Sequence, residues 1–405
     1  MKFLLLDDDP FVLKLLSRQL TNLGFEQVVA LEHPHDALAL LERDPAAFDI
    51  VLLDLQMPDM DGVEFVRHLT RIHYPGGLVL ISGEELRILH TVEKLANAHK
   101  LRVLGALHKP ITPAQLKQVI EYAPQYSKRN PRKIYAPDEL QQALNNNELI
   151  NHYQPQVESA TGRVVGVEAL VRWQHPQDGL VFPDQFVGTA EEHGLIDDLT
   201  RTVLANALSQ ARQWKEAGVT LQVSVNVSMD NLVKLDFADY VADMVKKTGI
   251  PPSSIVLEVT ESRLMKDLLT PLDILTRLRL KHIGLSIDDF GTGHSSLAQL
   301  RDIPFDELKI DRGFIHGAHD SPPLRAIVEA SLGMARQLGM KTVAEGVEDQ
   351  QDWDFLRATG CNLAQGYFIA KPMSAEAMVD WLPEWKSRRQ ELFRRKTMNR
   401  KGDLG

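Results

Sequence analysis

Short apolar runs that stop at acidic or hydroxyl residues, separated by amphipathic stretches, recur along most of this 405-residue chain. In the first 124 residues the runs are "KFLLL" (2–6), "FDIVLLD" (48–54), "GLVLIS" (77–82) and "LRVLGAL" (101–107), with a weaker one at 26–31. Runs this short and this uniformly apolar read as strands covered on both faces, which calls for helices above and below the sheet. Helical periodicity fills the intervals at 10–23, 34–43 and 61–72. The pattern predicts a doubly wound α/β domain over residues 1–124. A polar, basic, proline-containing linker follows at 125–137, and the alternation then resumes on a larger scale. Strands are expected at 162–173, 220–228, 253–262, 283–291, 306–312 and 341–348. About 250 residues of such alternation match a (β/α)8 barrel. Six clear strands leave room for a modified, TIM-like barrel over 138–383, with a tail at 384–405.

Two to three domains are expected of a chain this long. Hydrophobic residues at 44% and charged residues at 25% describe an ordinary globular protein. The formal net charge of −10 argues against general nucleic-acid binding. Cys361 is the single cysteine, so neither an intrachain disulfide nor a cysteine zinc cage is available, and a reducing compartment fits. The opening "MKFLLLDDD" breaks off at three acids, too early for a secretory signal. No stretch approaches the ~18 apolar residues of a membrane span. A cytoplasmic location is expected.

In a doubly wound sheet the carboxyl ends of the strands open onto one edge, where ligands bind. Asp7, Asp8 and Asp9 end the first run, Asp54 the third, Ser82 the fourth and Lys109 the fifth. Asp9, followed by Pro10, reads as a helix N-cap. The other acids, the hydroxyl and the lysine make a hard-cation site with an oxyanion partner. With "VLLDLQMPDMDG" (51–62), this half resembles a response-regulator receiver domain. The resemblance implies that Asp54 accepts a phosphoryl group and that Asp7 and Asp8 help hold one Mg²⁺. It also implies that Ser82 and Lys109 contact the phosphoryl oxygens and that a sensor histidine kinase is the partner. Receivers usually carry an aromatic residue three positions before the lysine. Ala106 stands there, so the usual relay is not expected.

In the second half, Glu168, Glu258, Glu261, Asp288, Asp289 and Glu345 fall toward strand ends, joined by Asn226 and Lys309. Barrel strands deliver such residues to one face. A crowd of carboxylates there needs cations, and oxygen donors without cysteine or clustered histidine favour Mg²⁺ or Mn²⁺. Adjacent aspartates suit a metal pair ~3.5–4 Å apart that polarises a phosphate and activates water.

The ordered set "EALVRW" (168–173), "NVS" (226–228), "EVTES" (258–262), "DDFGTG" (288–293), "LKID" (308–311), "AEGVE" (344–348) and "AQGY" (364–367) looks like an EAL-domain cyclic di-GMP phosphodiesterase. The resemblance implies hydrolysis of cyclic di-GMP to linear pGpG with two Mg²⁺ or Mn²⁺, in a homodimer or larger homo-oligomer. Glu168, Asn226, Glu258 and Asp288 would hold one metal, with Asp288 shared with a second that Asp289 helps to hold. Lys309 and Glu345 would orient or deprotonate the attacking water, with the base left open between them. Gln154 and Arg172 would hold the substrate, and Gln365 completes the set. Glu261 would anchor the loop "FGTGHSS", in which His294 replaces the usual tyrosine.

Two other readings compete with the enzyme: a cyclic di-GMP sensor, which typically loses metal ligands, and a phosphorylation-controlled scaffold. Every matched ligand position is present, which favours the enzyme. Diguanylate synthesis would need a Gly-Gly-acidic signature, and Gly76-Gly77 followed by "LVL" is not one. The stretch 384–401 carries eight Lys or Arg against two Glu. A solvated helix packed loosely on the body is expected there, with Trp381, Trp385, Leu392 and Phe393 opposite Arg388, Arg389, Arg394 and Arg395.

Overall fold

Every residue of β1 (Phe3–Leu6), β3 (Ile50–Asp54) and β4 (Gly77–Ser82) is buried, as covered parallel strands require. With β2 (Val28–Leu31) and β5 (Arg102–His108) they form one parallel sheet in the order β2-β1-β3-β4-β5. Leu4, Leu6, Val51 and Leu53 pack on one side with Phe65 and Val66. Phe3, Leu5, Ile50 and Leu52 pack on the other with Leu13 and Leu16. This is the expected doubly wound domain. Asp9 caps the helix Pro10–Asn22, its Oδ1 accepting the Phe11 N–H at 2.8 Å.

This computed structural model describes residues 1–83, 86–99, 101–117, 119–120, 133–260, 269–291 and 297–402. Glu261, His294 and most of the expected linker lie outside them. The chain divides into two units, Met1–Arg132 and Lys133–Gly405.

The second unit is built on β6 (Leu149–Glu158), β7 (Val164–His175), β8 (Gly179–Val181), β9 (Gln222–Val227), β10 (Ile255–Thr260), β11 (Gly284–Phe290), β12 (Glu307–Ile310), β13 (Lys341–Ala344) and β14 (Leu363–Ala364). Eight of these close a barrel in the order β6-β14-β13-β12-β11-β10-β9-β7, sealed by β6–β7 pairing, while β8 pairs outside it with β7. The modification is β6, which runs antiparallel to both β7 and β14. Sequence patterning missed β6 and β14. The first places polar Gln154 and Gln156 among its buried residues, and the second is two residues long.

The basic tail departs from expectation. A single helix, Ala375–Gly402, runs straight through Pro383 and the composition change. It is not loosely packed: Trp385 is buried, its Nε1 donating to Gly162 O at 2.8 Å, and its ring meets Trp353 edge-on and stacks with Trp381. Arg388 does not point away from this face; its guanidinium lies 4.4 Å from the Phe368 ring. Arginine stems carry enough apolar surface to pack this way. No helix among the described residues is long and apolar enough to cross a membrane.

Candidate active site

Register places the barrel's polar residues on one inward surface. Parallel neighbours in register face the same side, so Asn226 opposite Glu258, and Glu168 opposite Ser224, point inward together. Glu168 lies in the middle of β7, not at its end, because the strand continues beyond the barrel to pair with β8. Glu345 follows the last residue of β13.

Lys309, on β12, is the hub. Its side chain is 1% exposed, and its Nζ lies 2.6 Å from Glu345 Oε1, 2.7 Å from Glu258 Oε2, 3.2 Å from Asp288 Oδ1 and 3.6 Å from Glu168 Oε2. Burial alone would lower the pKa of this ammonium. The four carboxylates outweigh that and hold it well above its ordinary value. Burial pushes the Glu345 carboxyl up to about 8, against the pull of Lys309. Glu258 is likewise raised by burial. Burial also acts upward on Glu168, yet Lys309, Gln365 and Asn226 together bring it below the ordinary range.

Asp288 and Asp289 pose a geometric problem, since adjacent strand residues normally face opposite ways. The β11–β12 register shifts between Ile287 and Phe290, and Asp289 adopts a left-handed φ of 55°. A bulge with this conformation turns the second aspartate back toward the first. Asp288, Asp289 and Glu345 each then offer an oxygen, all within 4.8 Å of one another. Burial, followed by the Asp288 charge, raises Asp289 to about 6.

A ladder of amides fixes Glu168. Gln365 Nε2 donates to Glu168 Oε2 at 2.6 Å and to Gln154 Oε1 at 3.0 Å, and Asn226 Nδ2 donates to Glu168 Oε1 at 2.8 Å. Gln154 in turn donates to Ala370 O, and Gln156 donates to Gln365 Oε1, both at 3.0 Å. Gln154 and Gln365, expected at the substrate, therefore hold each other and a carboxylate here. Gln156 was missed by sequence reasoning, although its spacing of two from Gln154 puts both on one strand face. Arg172 is buried, donates to Val171 O at 2.8 Å and lies 5.0 Å over the Phe182 ring. No acceptor reaches its buried Nε among the described residues.

The donor set fits hard cations: carboxylates and an amide, all oxygen donors. Glu258 Oε1 supplies the sharper test. It is buried and no hydrogen-bond donor reaches it among the described residues, a costly state that a cation would relieve.

The first unit carries a second acidic site at its sheet edge. Lys109 Nζ sits 2.8 Å from Asp7 Oδ2 and 3.1 Å from Asp54 Oδ1. Oxygens of Asp7, Asp8 and Asp54 lie within 4.8 Å of one another, with Asp8 exposed and the other two buried. Burial raises Asp54 to about 6, with Lys109 opposing. Ser82 is fully buried at the end of β4, its backbone oxygen accepting the Lys109 N–H at 2.8 Å. Ala106 lies on β5 opposite Leu80.

Comparison with known proteins gives this arrangement a family. The EAL domain profile matches residues 137–372, and the response regulator receiver domain profile matches residues 3–121. The chain belongs to the EAL-domain family, with a receiver domain in front. It is 30% identical to the cyclic di-GMP phosphodiesterase RocR of Pseudomonas aeruginosa over 386 residues, covering 93% of this chain and 97% of that protein. It is 44% identical over 243 residues to MucR of the same organism, a bifunctional diguanylate cyclase/cyclic di-GMP phosphodiesterase, across 60% of this chain but 35% of MucR. A solved MucR phosphodiesterase in complex with c-di-GMP superposes with a TM-score of 0.57 at 43% identity, covering 60% of this chain and 98% of that one.

Proposed function

We propose that this protein hydrolyses one phosphodiester of cyclic di-GMP to give linear pGpG, using two Mg²⁺ or Mn²⁺ ions. The observation that carries the reading is the cage of four carboxylates around one buried ammonium, joined by a fifth, Asp289, beside Asp288 and Glu345. Glu168, Glu258, Asp288, Asp289 and Glu345, if ionised, with Lys309 protonated, leave four negative charges, the number two divalent cations neutralise. Likeness to RocR and MucR, named for this activity, supports the substrate.

Glu168, Asn226, Glu258 and Asp288 would hold one cation, with Asp288 and Asp289 holding the other. Such a pair supplies Lewis-acid polarisation of the phosphate and a more acidic water. Lys309 has four carboxylates within 3.6 Å and an elevated pKa, so it stays charged and is a poor base. Glu345 is the more accessible partner, its side chain 19% exposed against 1% for Lys309. Glu345 therefore takes the proton of the attacking water, and Lys309 orients Glu345 and offsets charge developing at the phosphate. Arg172, an always-charged planar guanidinium, suits a phosphate oxygen.

Phosphorylation of Asp54 then tunes the rate, with Lys109 drawn to the new oxyanion and Asp7 and Asp8 holding one Mg²⁺. Purified protein is incubated with cyclic di-GMP and Mg²⁺, with and without an acyl-phosphate donor, and products are separated by chromatography. Accumulation of pGpG, with a several-fold rate change that disappears in Asp54→Asn, is the expected result. Bound but uncleaved nucleotide would replace the enzyme by a sensor. Labelling of Asp54 without any change in rate or oligomeric state would remove the regulatory link.

A further inference from the structure

The first residues of the second unit are knotted to the barrel beside Arg172. Lys133 Nζ lies 3.0 Å from Asp178 Oδ2 and 4.4 Å over the ring of Tyr135. Tyr135 is 2% exposed, and its hydroxyl donates to the same Asp178 oxygen at 2.8 Å. Its ring centroid stands 4.6 Å from that of Trp173 and 5.2 Å from that of His175. Gln185 links the knot to the mouth. Its backbone oxygen accepts the Tyr135 N–H at 3.3 Å, its Nε2 donates to Lys133 O at 3.4 Å, and its Oε1 accepts the Phe182 N–H at 3.5 Å.

Phe182 presents its face to the guanidinium of Arg172, 5.0 Å away. The only hydrogen bond found for that guanidinium among the described residues runs to Val171 O, and its Nε has no acceptor. Burial confines this guanidinium, but one hydrogen bond alone does not fix the tilt of its plane. The aromatic face beneath it supplies the missing constraint, through the attraction between a cation and a π-cloud.

We propose that Phe182 is a positioning residue for Arg172, and that Gln185 ties this placement to Lys133 and Tyr135, the residues through which the chain enters from the receiver. The proposal rests on the reading of Arg172 as the substrate phosphate clamp. This placement would set substrate affinity separately from the cation-holding carboxylates.

Steady-state kinetics of the full-length protein on cyclic di-GMP with saturating Mg²⁺ test it. Phe182→Ala raises KM roughly two- to fivefold, the span of a partly exposed cation–π contact, and leaves kcat within about twofold. Phe182→Tyr restores the wild-type KM, whereas Phe182→Leu, which keeps apolar bulk without a π face, does not. In an Arg172→Ala background Phe182→Ala has no further effect, since the two act as one unit. Additive effects would instead mean that Phe182 touches substrate itself, and would overturn the positioning role. Gln185→Leu, which removes the side-chain bonds to Lys133 O and the Phe182 N–H, raises KM in the same direction; an unchanged KM would overturn the tie to Lys133. If Arg172→Ala itself leaves KM unaltered, the clamp reading falls first. A raised KM in Arg172→Ala with an inert Phe182→Ala removes only the present proposal.

Discussion

Lys309 Nζ and Glu345 Oε1 stand 2.6 Å apart in the barrel unit, one side chain sealed from solvent and the other 19% exposed. In the proposed reaction the pair would divide two tasks that a single residue performs badly. A buried ammonium flanked by carboxylates keeps its proton, while the carboxylate it touches has a raised affinity for one. Under the proposed mechanism, surroundings and not residue type assign orientation to Lys309 and proton acceptance to Glu345.

Replacing either member should strike turnover more than binding. Glu345→Gln and Lys309→Met are each expected to lower kcat by about 10²-fold or more, with KM changed only a few-fold, because their proposed roles lie in the transition state. Initial rates across a cyclic di-GMP concentration series check this. A loss confined to KM in Lys309→Met would make Lys309 a substrate clamp.

Cation removal should act on stability as well as on rate. Chelation by EDTA abolishes turnover and lowers the Tm, since the carboxylate cage then repels itself and a ligand that binds only the folded state is gone. Glu168→Ala removes a ligand and the acceptor of Gln365 and Asn226, so it is inactive and its Tm responds less to Mg²⁺. Differential scanning calorimetry at several Mg²⁺ concentrations measures both effects. A Tm independent of Mg²⁺ in the wild-type protein would contradict the cage.

His316 supplies a pH-dependent contribution to stability through a contact outside the carboxylate cluster around Lys309. Its Nδ1 lies 2.9 Å from Asp352 Oδ2, and this hydrogen bond is the main reason its pKa is raised. A folded pKa above the unfolded value of about 6.5 means that the stabilisation is complete below that pH and disappears as pH rises through the folded value. The Tm gap between wild type and His316→Gln should be widest near pH 5.5 and narrow toward pH 9. A gap that widens with pH would reverse the assignment.

The tail helix should behave as part of the core. Trp385→Ala is expected to cost about 3 kcal/mol, as for other large-to-small changes at buried aromatics, and to lose the hydrogen bond to Gly162 O. Urea unfolding of the second unit's transition checks this. A change below about 0.5 kcal/mol, the level of ordinary surface substitutions, would return the helix to the surface role its composition suggests.

Sequence alone determined the strand–helix alternation, both domain classes and most of the residues that meet at the barrel mouth. Apolar runs and motif spacing are local properties, and local properties are written along the chain. Tertiary structure decided what depends on who sits beside whom. The polar interior of β6 hid that strand, because its Gln154 and Gln156 face a lumen lined with amides and acids. Gln365 and Gln154 became partners across 211 positions, a pairing that no periodicity encodes. Only the bulge at Asp288–Asp289 explains how neighbouring carboxylates reach the same site. The strongly basic tail composition pointed to solvent, yet Trp385 and its arginine neighbours found apolar surface on the barrel unit. Charge density along a helix says which face can be wet; only the surface opposite decides which face is dry.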